Sequence, residues 1–106
     1  MDIETLKNSI SVDQLDQLLN KTSQPVFLID LMSREEFARA HIPGAVNIPV
    51  EELKDRVAEI PGGSEIIVAC KRGLMKSDIA LKQLHESGFK NARKVEGGIM
   101  GWFASK

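Results

Sequence analysis

The sequence predicts an α/β domain: a small, mostly parallel sheet flanked by helices on both faces. Three observations predict it. Short apolar runs rich in β-formers recur along the chain. Amphipathic helical stretches separate them, and strands that alternate with helices imply right-handed crossovers and a covered sheet. The length of 106 residues, 42% of them hydrophobic, suits one core and one domain over residues 1–106.

The elements follow in order. Ser11 and Gln14 form a capping-box pattern that starts a helix over Val12 to Asn20, with Val12, Leu15, Leu18 and Leu19 on one face. Lys21 to Pro25 reads as a loop. Val26-Phe27-Leu28-Ile29-Asp30 reads as a buried strand. Ser33-Arg34-Glu35-Glu36 repeats the capping logic and starts a short helix to about Ala40. His41-Ile42-Pro43-Gly44 is a turn, and Ala45 to Ile48 a second strand. Pro49 suits the first turn of a helix whose apolar stripe is Leu53, Val57 and Ile60. Pro61-Gly62-Gly63 stops it. Glu65 to Ala69 is the third clear strand. Asp78 to Ser87 is a helix with Ala80, Leu81 and Leu84 inward and Gly88 as a left-handed C-cap. Ala92 to Val95 is a weak strand. Gly97-Gly98 leads into a last short helix holding Ile99, Met100 and Trp102.

The formal net charge of −1 argues against a nucleic-acid footprint over the whole domain. A single cysteine forms no internal disulfide, in keeping with a reducing compartment. Met1 to Lys7 carries no basic segment followed by an apolar one, so no secretory signal is expected. No apolar run approaches membrane-spanning length. The expectation is a cytoplasmic domain with neither membrane nor nucleic acid as a partner.

Cys70 is the residue that points to chemistry. It stands where the third strand meets Lys71-Arg72-Gly73-Leu74-Met75-Lys76-Ser77, a basic loop that leads into a helix. A strand that turns into a helix aims several backbone N–H groups into one small space, at the positive end of the helix dipole. That space and three cationic side chains favour the thiolate, the reactive form of cysteine. Gly73 lets the backbone curl into an anion-binding nest. Ser77 is placed to cap the following helix or to donate its hydroxyl inward. A buried core cysteine would fit the same position, because free cysteine is among the most buried residue types. Ligands of parallel sheets bind beyond the carboxyl ends of strands, and Cys70 and Asp30 both stand at such ends.

Several motifs together carry a family resemblance. They are Val26 to Asp30 and Arg34-Glu35-Glu36-Phe37. Next come Ala40-His41-Ile42-Pro43-Gly44-Ala45 with Asn47-Ile48-Pro49, then Ile67 to Cys70 with glycine three residues on. Gly88-Phe89 and Glu96-Gly97-Gly98-Ile99-Met100-Gly101-Trp102 close the series. In this order and spacing the chain resembles the single-domain rhodanese family from about Ile10 to Trp102, with a core of about 10–102. The resemblance implies a sulfurtransferase or sulfur carrier. In it the Cys70 thiolate takes sulfane sulfur from thiosulfate, a polysulfide or a persulfide as a Cys70 persulfide. Loop N–H groups stabilise its charge, and cyanide, a thiol or a sulfur-accepting protein removes the outer sulfur. It implies no metal or organic cofactor, because the cysteine carries the sulfur covalently. Gly73, Leu74, Met75, Lys76 and Ser77 form the cradle, and Lys71 and Arg72 attract the anion.

Two departures bear on this. With Lys76 in place of the family's arginine, the loop is one residue longer than in most sulfurtransferases. That length resembles rhodanese-fold phosphatases and arsenate reductases, which use arginine there; lysine cannot bind an oxyanion bidentately. Met32 stands two residues after Asp30, where the family often has arginine. The alternatives are therefore an oxyanion enzyme using the same cysteine and a non-catalytic interaction domain.

Other residues read as follows. Asp30 orients loop groups, pairs with Lys76 or Arg72, or caps a local turn, the last being favoured. His41 is a hydrogen-bonded structural residue and His85 an exposed helix residue. With Cys70 they lack metal-ligand spacing. Gly97-Gly98 serves helix packing rather than phosphate binding, and Trp102 anchors the last helix. Lys71, Arg72, Lys76 and Lys82 are either a solvated surface or an attractor for substrate.

Overall fold

Gln14 N donates to Ser11 Oγ at 3.0 Å while Ser11 N donates to Gln14 Oε1 at 2.9 Å, so the first capping box closes reciprocally. The structure, a computed structural model, describes residues 8–21 and 23–106. Met1–Lys7, on which the expectation of no secretory signal rests, and Thr22, in the expected loop, lie outside the described residues.

The chain order is β1 (Ser9–Ile10), α1 (Val12–Lys21), β2 (Val26–Asp30), α2 (Arg34–Arg39), β3 (Val46–Asn47) and α3 (Val50–Leu53). A 3₁₀ turn (Val57–Glu59) follows, then β4 (Glu65–Ala69), α4 (Met75–Glu86), β5 (Arg93–Val95) and α5 (Gly98–Ala104). The five strands form one sheet in the order β1-β5-β4-β2-β3, with every pairing parallel. Successive side chains on a strand face opposite sides. Ile66, Ile67, Val68 and Ala69 of β4 are all buried, so both faces of the sheet are covered there. Val12 Cγ2 of α1 lies 3.7 Å from where a Cβ on Gly101 of α5 would be, so these two helices pack together.

Three elements and one residue differ from the sequence reading. Strand β1 was not expected; two residues are too short to show a period, and it exists through pairing of Ser9 with Lys94 and Ile10 with Val95. The helix expected after Pro49 breaks after Leu53. Asp55 N donates to Glu52 O and Arg56 N to Leu53 O, the tighter i to i+3 pattern. Arg56 is clasped there by Glu52 at 3.1 Å and Glu59 at 2.8 Å, and Leu53 and Ile60 still reach the core. Helix α4 begins at Met75, not Asp78, because its cap position is Leu74, which offers no side-chain oxygen for a sequence pattern to reveal. His85 is half-buried rather than exposed. Gly88, at φ +96°, turns the chain back so that the Ala92 carbonyl lies 3.1 Å from His85 Nε2.

Parallel register brings the site together. Asp30 pairs with Ala69, and Leu31 N donates to Ala69 O at 2.9 Å. The carboxyl ends of β2 and β4, and hence Asp30 and Cys70, begin adjacent loops.

Candidate active site

Cys70 is a free thiol, 4% exposed, at the end of β4. Its sulfur accepts a hydrogen bond from Ser77 Oγ at 3.0 Å. Ser77 is fully buried in the first turn of α4 and does not cap the helix. Of the two roles expected for it, the inward hydroxyl is the one observed. The first α4 amide to reach a helical carbonyl is that of Asp78, which donates to Leu74 O at 3.0 Å. The amides of Met75, Lys76 and Ser77 precede it and are the free donors of a helix start. Lys76 and Met75 thus belong to the helix rather than to the loop.

Two glycines hold the loop from behind. Ile99 N donates to Cys70 O at 2.9 Å and Met100 N to Lys71 O at 3.0 Å, which ties the start of α5 to the loop. Gly98, at φ +64°, approaches so closely that a Cβ would strike Cys70 O and lie 2.5 Å from Gly73 N. Gly73, at φ +74°, would place its own Cβ 2.5 Å from Val95 O. The sequence reading gives Gly97-Gly98 a role in helix packing; in the structure Gly98 instead serves close backbone approach to the cysteine loop, while a Cβ on Gly97 would meet only Gly101 Cα, at 3.4 Å.

Cys70 opens onto a pocket of about 290 Å³ walled by Met32, Lys71, Arg72, Leu74, Met75 and Lys76. Lys71, Arg72 and Lys76 are exposed at its rim. Leu74 and Met75 are 62% and 75% exposed, an unusual state for large apolar side chains flanking a buried thiol.

Asp30 does not line this pocket, and among the described residues no ion pair joins it to Arg72 or Lys76. Its Oδ1 accepts from Met32 N at 2.9 Å, the local turn expected of it. Asn47 Nδ2 donates to Asp30 O and Met32 O, which fixes the same turn from β3. Asp30 thereby sets the place of Met32. Burial pushes the Asp30 carboxyl above its usual pKa, against the bond from Met32 N, and its Oδ2 has no partner among the described residues. Met32 was noted in the sequence for the arginine it replaces; in the structure it is a pocket wall.

His41 lies outside the site. Its Nδ1 is 2.7 Å from Phe37 O and its ring stacks on Phe37 at 3.8 Å, the structural role expected. Trp102 is buried, with Lys106 Nζ 4.2 Å above its ring. Among the described residues no group of three His, Cys, Asp or Glu side chains gathers to hold a metal ion. No helix among them is long and apolar enough to cross a membrane.

The family model for the rhodanese-like domain matches residues 11–105. The chain belongs to that family. Its relatives include sulfurtransferases: one from Allochromatium vinosum is 30% identical over 95 residues, covering 90% of this chain and 87% of that protein. The human single-domain sulfurtransferase superposes with a TM-score of 0.78 at 26% identity, covering 93% of this chain and 97% of that one. Other rhodanese-like relatives are longer. The chain spans 41% of an HTH-type transcriptional regulator, Rv0324, from Mycobacterium tuberculosis, to which it is 31% identical over 94 residues. The chain thus spans less than half the length of some of the curated relatives it matches.

Proposed function

We propose that this rhodanese-like domain is a sulfurtransferase or sulfur carrier with Cys70 as the nucleophile. The observation that carries the reading is a buried thiol that receives the Ser77 hydroxyl and faces a small pocket rimmed by Lys71, Arg72 and Lys76. The Cys70 thiolate attacks the outer sulfur of thiosulfate or of a polysulfide. A sulfur–sulfur bond forms to Sγ, the old one breaks, and its electron pair departs on sulfite or on the shortened polysulfide. The Cys70 persulfide then carries sulfane sulfur with no metal or organic cofactor. The outer sulfur extends into the pocket, where the free amides at the start of α4 offset its charge. Cyanide or a thiolate attacks it, and the bond electrons return to Cys70.

Lysine cations suit this small anionic donor. They concentrate the anion without demanding the two-pronged geometry that arginine gives to phosphate or arsenate. Turnover of thiosulfate with cyanide tests the reading beside hydrolysis of an aryl phosphate. Thiocyanate production lost in Cys70→Ser supports it. Phosphate release that depends on Cys70, without thiocyanate, replaces it with the oxyanion enzyme. Neither activity, with any polysulfide donor, leaves an interaction domain.

A further inference from the structure

A second concavity, of about 430 Å³, adjoins the Cys70 pocket and shares Met32 and Lys71 with it. Its floor and walls are Met32, Ala40, Ile99, Met100 and Phe103, with Arg39, Lys71 and Glu36 among them. Its volume falls in the range of small-molecule sites, about 300–1,000 Å³. Met100 and Phe103 leave 49% and 44% of their surface in water, although both belong to a helix whose other face, Ile99 and Trp102, is buried. Exposed apolar groups grouped in a concave site mark a place for a ligand.

The charges give that ligand a polarity. Ser33 Oγ donates to Glu36 at 2.9 Å, and this bond, with Lys76 and Lys71 nearby, holds the Glu36 carboxyl below its usual pKa. Arg39 has no ion-pair partner among the described residues. It lines the groove and not the Cys70 pocket. A molecule lying in the groove would meet Met32 and Lys71, which it shares with the Cys70 pocket, an apolar wall, and the guanidinium of Arg39.

We propose that the groove binds the acceptor, and that the acceptor is a low-molecular-weight thiol with an apolar stem and an anionic end group. The proposal rests on the sulfur-carrier reading and names the second substrate of that same site. The stem lies on Met32, Ile99, Met100 and Phe103, the anion pairs with Arg39, and the thiol enters the Cys70 pocket past Met32 and Lys71. The thiol first loses its proton to water or buffer. Its sulfur attacks the outer sulfur of the Cys70 persulfide, forming one sulfur–sulfur bond as the bond to Sγ breaks. The pair returns to Sγ, and the product is the persulfide of the acceptor, with no net oxidation.

The test starts with protein loaded by polysulfide, freed of donor, and weighed to establish the persulfide. Its discharge rate is then measured with ω-mercaptocarboxylates of one to six methylenes, with the matching ω-mercaptoalcohols, and with cyanide as a reference too small to span the groove. The expected second-order rate rises about two- to fourfold per methylene, relative to cyanide, while the stem stays within the groove. Carboxylates outrun alcohols of the same length, and Arg39→Gln reduces that preference about threefold. Phe103→Ala flattens the dependence on stem length. Persulfide that discharges at rates independent of stem length, or an end-group preference untouched by Arg39→Gln, overturns the acceptor groove and leaves the sulfur-carrier reading standing. Protein that never gains sulfur from any donor overturns both.

Discussion

The Ser77 hydroxyl donates to the Cys70 sulfur at 3.0 Å, from the first turn of α4 to the end of β4. Ser77 is fully buried, and Cys70 is exposed only where it opens onto the pocket. A bond of this kind to a charged sulfur is worth about 1.5–3 kcal/mol. Ser77→Ala is expected to slow single-turnover sulfur loading of Cys70 by about tenfold or more. Stopped reactions followed by intact mass check it, and an unchanged rate would show that the hydroxyl only fills space.

Gly98 admits no side chain. A Cβ there meets Cys70 O and Gly73 N, and the positive φ adds to the strain. Gly98→Ala is expected to destabilise the fold by about 1–3 kcal/mol. For a domain of this size each kcal/mol lowers Tm by about 4–8 °C. It should also slow sulfur loading, because relief of the clash displaces the cysteine loop. Thermal melts and loading rates together check this; a melt superimposable on the parent's contradicts it.

The rim cations act through water and are screened by salt. Lys76→Ala is expected to raise the KM for thiosulfate severalfold, and to weaken its dependence on ionic strength. Initial rates at two salt concentrations suffice. A KM that does not move assigns Lys76 to an ordinary solvated surface.

Asp30 gives a pH dependence with a definite sign. Burial raises its pKa above that of an ordinary carboxyl group, so in the window between its unfolded and folded pKa the folded state binds more protons than the unfolded chain. Stability from this group is therefore greatest below the window and falls as pH rises through it. Glu36, Glu52 and Glu59 are shifted downward and act oppositely, each losing stability as pH falls through its lowered value. Asp30→Asn keeps an Oδ1 for Met32 N and removes the buried charge. Denaturant unfolding from pH 4 to 7 should show the variant gaining on the parent as pH rises. Parallel curves would mean that the Asp30 carboxylate bears no burial cost.

Much of the scaffold was legible because its signals are local. Ser11 with Gln14 and Ser33 with Glu36 announce two helices from three residues' spacing, and both caps close in the structure. The parallel strands β2 and β4 read as continuous apolar runs because both their faces are buried. Other features depend on distant partners. Strand β1 exists by virtue of β5, eighty-odd residues away, and α4 starts where Gly98 and Gly73 lock the loop rather than where a side chain caps it. Cys70 was legible at the boundary of strand and basic loop, and Ser77 as a possible inward donor. The groove was not, since Arg39 and Phe103 come from α2 and α5 and only the fold brings them beside Met32.

Intact-protein mass after incubation with thiosulfate or polysulfide tests the central claim most directly. The account predicts a gain of one sulfur atom, removed by cyanide and absent in Cys70→Ser. Sulfur uptake that survives Cys70→Ser, or no uptake from either donor, would contradict it.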